Sequence, residues 1–141
     1  MTPASGVAAA VTFVWSGMVL AISFIETPLK FRAPDVSVRI GLGIGRLVFR
    51  ALNSAEAVLA LLLLGAALIE RPRQSVTFSV AFILVVLVVQ LAAVRPRLTR
   101  RSDLVLAGAE MPRSHAHYVY IGLELIKVGA LLVTGTLFLS Q

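Results

Sequence analysis

The sequence has no cysteine. Disulfides, thiolate-bound metals and iron–sulfur clusters are therefore excluded at the outset. Charge is also scarce: 14% of the 141 residues are Asp, Glu, Lys or Arg, where a soluble domain carries about a quarter. Acids are scarcest, 7 against 13 Lys and Arg. Histidine occurs only at 115 and 117, and tryptophan only at 15. What remains is apolar, with 58% hydrophobic residues and a mean hydropathy of +0.93.

A hydrocarbon core about 30 Å thick is crossed by about 20 mostly apolar helical residues. Such stretches are GVAAAVTFVWSGMVLAISFI (6–25), LNSAEAVLALLLLGAALI (52–69, extended backwards to span), SVTFSVAFILVVLVVQLAAV (75–94) and the run from His117 to Leu139. They predict an all-α protein, an integral membrane four-helix bundle forming one polytopic domain. Its helices are expected over 6–27, 46–69, 75–94 and 115–139. The first stretch lacks a basic n-region and is longer than a secretory h-region, so it reads as a span and not a signal peptide. The pI of 11.1 would suit nucleic acid, but the basic residues sit in short connections. Membrane topology accounts for them, and no nucleic-acid partner is expected.

The first connection holds Lys30, Arg32 and Arg39, and the third holds Arg95, Arg97, Arg100, Arg101 and Arg113. The second offers only Arg71 and Arg73, and the tails none. By the positive-inside rule the loops 28–45 and 95–114 are expected in the cytoplasm, with both termini on the extracytoplasmic side of an inner (plasma) membrane.

Within the spans lies a polar seam. Helical positions advance about 100° per residue, which puts His117, Tyr120, Glu124 and Lys127 on one face of the last helix. Arg46, Arg50 and Asn53 share a face of the second helix, with Glu56 beside them. The first helix ends in Glu26, and the third carries Gln90. With the termini outside, all of these fall in the cytoplasmic half of the bilayer. Three acids (Glu26, Glu56, Glu124) then stand against three bases (Arg46, Arg50, Lys127). Charges inside a membrane are costly and face the bundle interior in pairs. Glu124 and Lys127 are spaced to pair on one helix; Glu56 and Lys127 have comparable depth, and Arg50 is within reach of Glu26. The competing reading is structural glue, polar groups fixing helix register at about 0.6 kcal/mol per bond.

Other features carry less. GLGIGR (41–46) lacks the G-x-G-x-x-G spacing and a preceding strand, so small residues for close helix approach explain it better than a nucleotide. The histidines of HAH (115–117) lie about 200° apart on a helix and there cannot grip one metal ion, although a start that is not yet helical would allow chelation. They cannot bracket one haem within a single chain. No serine is spaced as a nucleophile. Trp15 and the tyrosines read as packing or interface aromatics. EAVLALLLLGA from Glu56 and ELIKVGALLVTG from Glu124 look alike, but apolar helices resemble one another by chance.

The first helix ends in PLKFR (28–32), the second opens with RLVFRALN (46–53), and a histidine, 115 or 117, stands near the start of the last. In this layout the chain resembles the small four-helix membrane proteins of unknown function that include the transmembrane protein 205-like proteins. The resemblance implies a four-helix bundle, no catalytic residues to carry over, and a loose association with metal or drug tolerance. Glu124 and Lys127 depart from it, since a small-polar helix is usual after that histidine.

The leading expectation is a non-enzymatic membrane protein that binds or transports a small solute, ion or lipid. Its polar intramembrane site, open to the cytoplasm, would comprise Glu26, Arg50, Asn53, Glu56, His117, Tyr120, Glu124 and Lys127. Expected partners are the bilayer, anionic lipid headgroups at the basic loops, and further copies or a larger membrane complex. The alternatives are an accessory subunit whose charges are docking contacts, and a haem- or quinone-binding redox protein or enzyme. The sequence names no cofactor or metal.

Overall fold

In the computed structural model, residues 2–108 and 115–141 are described, with residues 115–117 described by backbone alone. Four long helices account for nearly all of them: α1 (Pro3–Lys30), α2 (Val38–Glu70), α3 (Gln74–Leu106) and α4 (His115–Leu139). Each is long and apolar enough to span a membrane. The outward faces are consistent with that. Leu61, Leu68 and Ile69 are 70%, 68% and 77% exposed, and an apolar surface this broad belongs against lipid.

The ends follow local chemistry. Thr2 caps α1, its hydroxyl accepting from the Ser5 N–H at 3.1 Å, and Ser37 caps α2 through the Ile40 N–H at 3.2 Å. Arg71 stops α2 in the left-handed conformation at φ 50°, Pro72 prevents continuation, and α3 begins after Arg73. The Thr2 hydroxyl also bonds to Glu70, so the start of α1 and the α2–α3 turn share one end of the bundle.

Close packing rests on small residues. Ser5, Ala8, Ala9, Thr12 and Ser16 are buried along α1, which lies against both α2 and α4. A Cβ on Gly135 of α4 would fall 2.6 Å from Thr12 Oγ1 and 2.8 Å from Phe13 Cζ. Trp15, Leu63, Ile83, Leu131 and Phe138, each 0% exposed, fill the centre. In the GLGIGR segment, Gly41 lies against the Phe31 ring and Gly45 against Lys30, so those glycines do admit neighbours closely.

The helices run further into the connections than the sequence reading has them. Residues 28–30, 38–45 and 95–106, expected within loops, are helical. Arginines and Pro96 argue for a loop, yet α3 runs through them because it already changes register: Gln90–Val94 is π-helical, and the Arg95 N–H reaches the Gln90 carbonyl. Beyond the apolar region the extended α2 and α3 stay together, joined by the Arg46–Asp103 ion pair at 2.7 Å. Residues 109–114 of the expected third loop lie outside the described ones.

The register change occurs twice. Leu20–Glu26 of α1 is also π-helical, and the Thr27 N–H reaches the Ile22 carbonyl just before Pro28. The same 68 residues separate Ile22 from Gln90, Thr27 from Arg95, Pro28 from Pro96 and Glu56 from Glu124. Shifted by that interval, the buried positions Leu52, Glu56, Ala60, Leu63 and Ala66 of α2 become Tyr120, Glu124, Val128, Leu131 and Thr134, all buried on α4. Ala8, Thr12, Trp15 and Val19 likewise become Val76, Val80, Ile83 and Leu87, all buried on α3. The resemblance of the two glutamate-led stretches is thus part of a repeat, helices α1–α2 against α3–α4.

Candidate functional site

One buried polar cluster draws on all four helices. Lys127 and Glu124 stand three residues apart on α4, so both side chains leave the same face and meet at 2.7 Å. The same ammonium lies 2.5 Å from Glu56 Oε2 on α2 and donates to Gln90 Oε1 on α3 at 2.7 Å. An ammonium has three N–H donors, and three acceptors surround it.

The acceptors are held in turn. Trp15 Nε1 on α1 donates to Glu56 Oε2 at 3.0 Å. Gln90 Nε2 donates to Glu124 Oε1 at 2.7 Å, and Ser23 Oγ donates to Glu124 Oε2 at 2.7 Å. Glu56, Gln90, Glu124 and Lys127 are each at most 2% exposed. Ser23 and Gln90 both come from the π-helical segments, where the wide turn re-aims side chains that an α-helical register would send elsewhere.

A second layer lies one turn away towards the basic end. Tyr120, four residues before Glu124, accepts from Arg95 Nη2 at 2.6 Å. The guanidinium lies over two rings, 4.6 Å from the centre of Phe49 and 4.9 Å from that of Tyr120. The rings meet edge to face at 6.1 Å. Arg95 Nε is buried and makes no hydrogen bond.

Of the eight residues marked out by the sequence, Glu56, Glu124 and Lys127 come together. Tyr120 belongs to the neighbouring layer. Glu26 pairs with Lys30 at 3.6 Å near the end of α1, and not with Arg50, which is exposed. Asn53 is half-buried and makes no side-chain hydrogen bond among the described residues. The His117 side chain lies outside them. Sequence reasoning left Trp15, Ser23, Gln90 and Arg95 out of the site. The signal for Gln90 was its depth in an apolar run; Ser23 and Arg95 had none, since their aim depends on the π segments. Among the described residues no group of three or more His, Cys, Asp or Glu could hold a metal ion.

No family model, curated protein or solved structure matches this chain.

Proposed function

We propose that the chain is an integral membrane protein that binds and moves a small cation, a proton being the simplest, through the Glu56–Lys127–Glu124 cluster. One observation carries this reading: two buried carboxylates face a single buried ammonium. With all three ionised the cluster itself carries one net negative charge, balanced only from the neighbouring layer by Arg95, which makes no ion pair of its own among the described residues. An imperfectly paired charge inside a bilayer is costly, about 3 kcal/mol or more when bare. One proton or one small cation neutralises it. The excess of basic residues supports a cytoplasmic position for the end bearing Lys30, Arg39, Arg95 and Arg97, and the reading takes the membrane to be the plasma membrane. The route from that side passes the Phe49–Arg95–Tyr120 layer, and a single bundle of four helices favours an assembly of several copies.

The test is cation flux in liposomes containing the purified protein, followed with a proton-sensitive dye and then with sodium and potassium. Flux is expected in the unaltered protein and lost in Glu124→Gln, with Trp15 fluorescence showing that the variant remains folded. Equal flux in both, or none in either, overturns the reading.

A second reading has its own support. The three acceptors around Lys127 satisfy it completely, as a fixed interhelical lock would require. The chain would then be an accessory subunit, its charges serving assembly. Gentle extraction from native membranes separates the two, because a subunit arrives with stoichiometric larger partners.

A further inference from the structure

The repeat makes two interfaces counterparts, α1 against α4 and α3 against α2. The first is sealed. Gly135 of α4 is packed under Thr12 and the Phe13 ring of α1. Shifted by the repeat interval, Gly135 becomes Ala67, Thr12 becomes Val80 and Phe13 becomes Ala81. All three of these counterparts line a cavity of 530 Å³ between α2 and α3. An aromatic ring closes one interface, and at the equivalent place in the other there is only a methyl group.

The chemistry of this groove is lopsided. Leu64, Leu68, Val80 and Leu84 make an apolar wall, while Arg71 stands at the end beside the α2–α3 turn. From Arg71 to Leu64 is two turns of helix, about 10 Å at 1.5 Å per residue. The groove opens sideways onto the apolar surface, where Leu68 is 68% exposed. Arg71 is set in the left-handed conformation ahead of Pro72, and Arg73 follows. Neither forms an ion pair among the described residues, and the neighbouring Glu70 is engaged by Thr2. An apolar slot reached from the lipid, with cations at its head, matches an acyl chain below an anionic headgroup.

We propose that the α2–α3 groove is a binding site for an anionic glycerophospholipid, with one acyl chain along Leu64, Leu68 and Leu84 and the phosphate against Arg71. The site lies at the opposite end of the bundle from the basic extensions and is independent of the ion cluster.

Native mass spectrometry of the full chain tests it, using phosphatidylglycerol and phosphatidylcholine with identical acyl chains. One phosphatidylglycerol should be retained in preference. Arg71→Gln should weaken that retention roughly fivefold, the effect of one basic residue at a membrane surface. Ala81→Phe, which supplies the ring found in the counterpart interface, should abolish it. Equal retention of the two lipids, or undiminished retention in folded Arg71→Gln, overturns the proposal. Because the chain has no other cysteine, Leu68→Cys provides a second measurement that does not depend on Ala81→Phe folding. Protection of this thiol by phosphatidylglycerol supports the site. Disulfide-linked dimers formed through it would show a second copy in the groove and overturn the proposal.

Discussion

Lys127 Nζ and Glu56 Oε2, 71 residues apart in sequence, meet at 2.5 Å with both side chains 1% exposed. The contact joins the two halves of the repeat through a position that the repeat does not share, since Leu59 occupies the place corresponding to Lys127. Equivalent carboxylates from each half therefore converge on a base supplied by one of them.

Removing that base should be severely destabilising. Lys127→Met leaves two buried carboxylates without the ammonium that joins them, and truncating one partner of a buried pair costs about 3–5 kcal/mol. The double variant Lys127→Met with Glu56→Gln should recover much of the loss. Thermal unfolding in detergent measures both; a single variant as stable as the unaltered protein would contradict the cluster.

Trp15→Phe keeps most of the ring volume and deletes the N–H that reaches Glu56. A hydrogen bond to a charged group contributes about 1.5–3 kcal/mol, which sets the expected loss. As the sole tryptophan, Trp15 also reports on the cluster by fluorescence. Its emission should resist aqueous quenchers, and Glu56→Gln should shift its wavelength while the helical content stays constant.

Gly135→Ala should loosen the α1–α4 interface, because its methyl group would lie 2.6 Å from Thr12 Oγ1. Overpacking of this kind costs about 1–3 kcal/mol. Gly122, on the same helix, has nothing within 4 Å of an added Cβ. There Gly122→Ala should be neutral or stabilise by about 0.5–1 kcal/mol. If the two variants unfold at the same temperature, the close approach at Gly135 is wrong.

The Arg46–Asp103 pair gives the opposite expectation. Its side chains are 38% and 55% exposed, so Asp103→Asn should change stability by less than about 1 kcal/mol, with the effect fading at high salt. A larger loss would mean that this pair organises the helical extensions.

Hydropathy alone determined that the chain has four helices long and apolar enough to cross a membrane, because length and apolarity are read locally. Helical periodicity likewise placed Tyr120, Glu124 and Lys127 on one face. Comparable depth also pointed to Glu56 as a partner for Lys127, and the two meet. Neither depth nor periodicity could say that Arg50 would remain at the surface while Glu26 turned to Lys30. Those outcomes depend on how each helix is rotated against its neighbours, which small residues such as Gly135 and Thr12 settle through contacts distant in sequence. The helix past Pro96 was hidden for a related reason. Proline and arginine argue for a break, and only a π-helical register that already shifts the backbone bonding lets α3 continue. Composition thus determined the number of long apolar helices. Packing decided which charges meet, because burial of a charge depends on what stands opposite it.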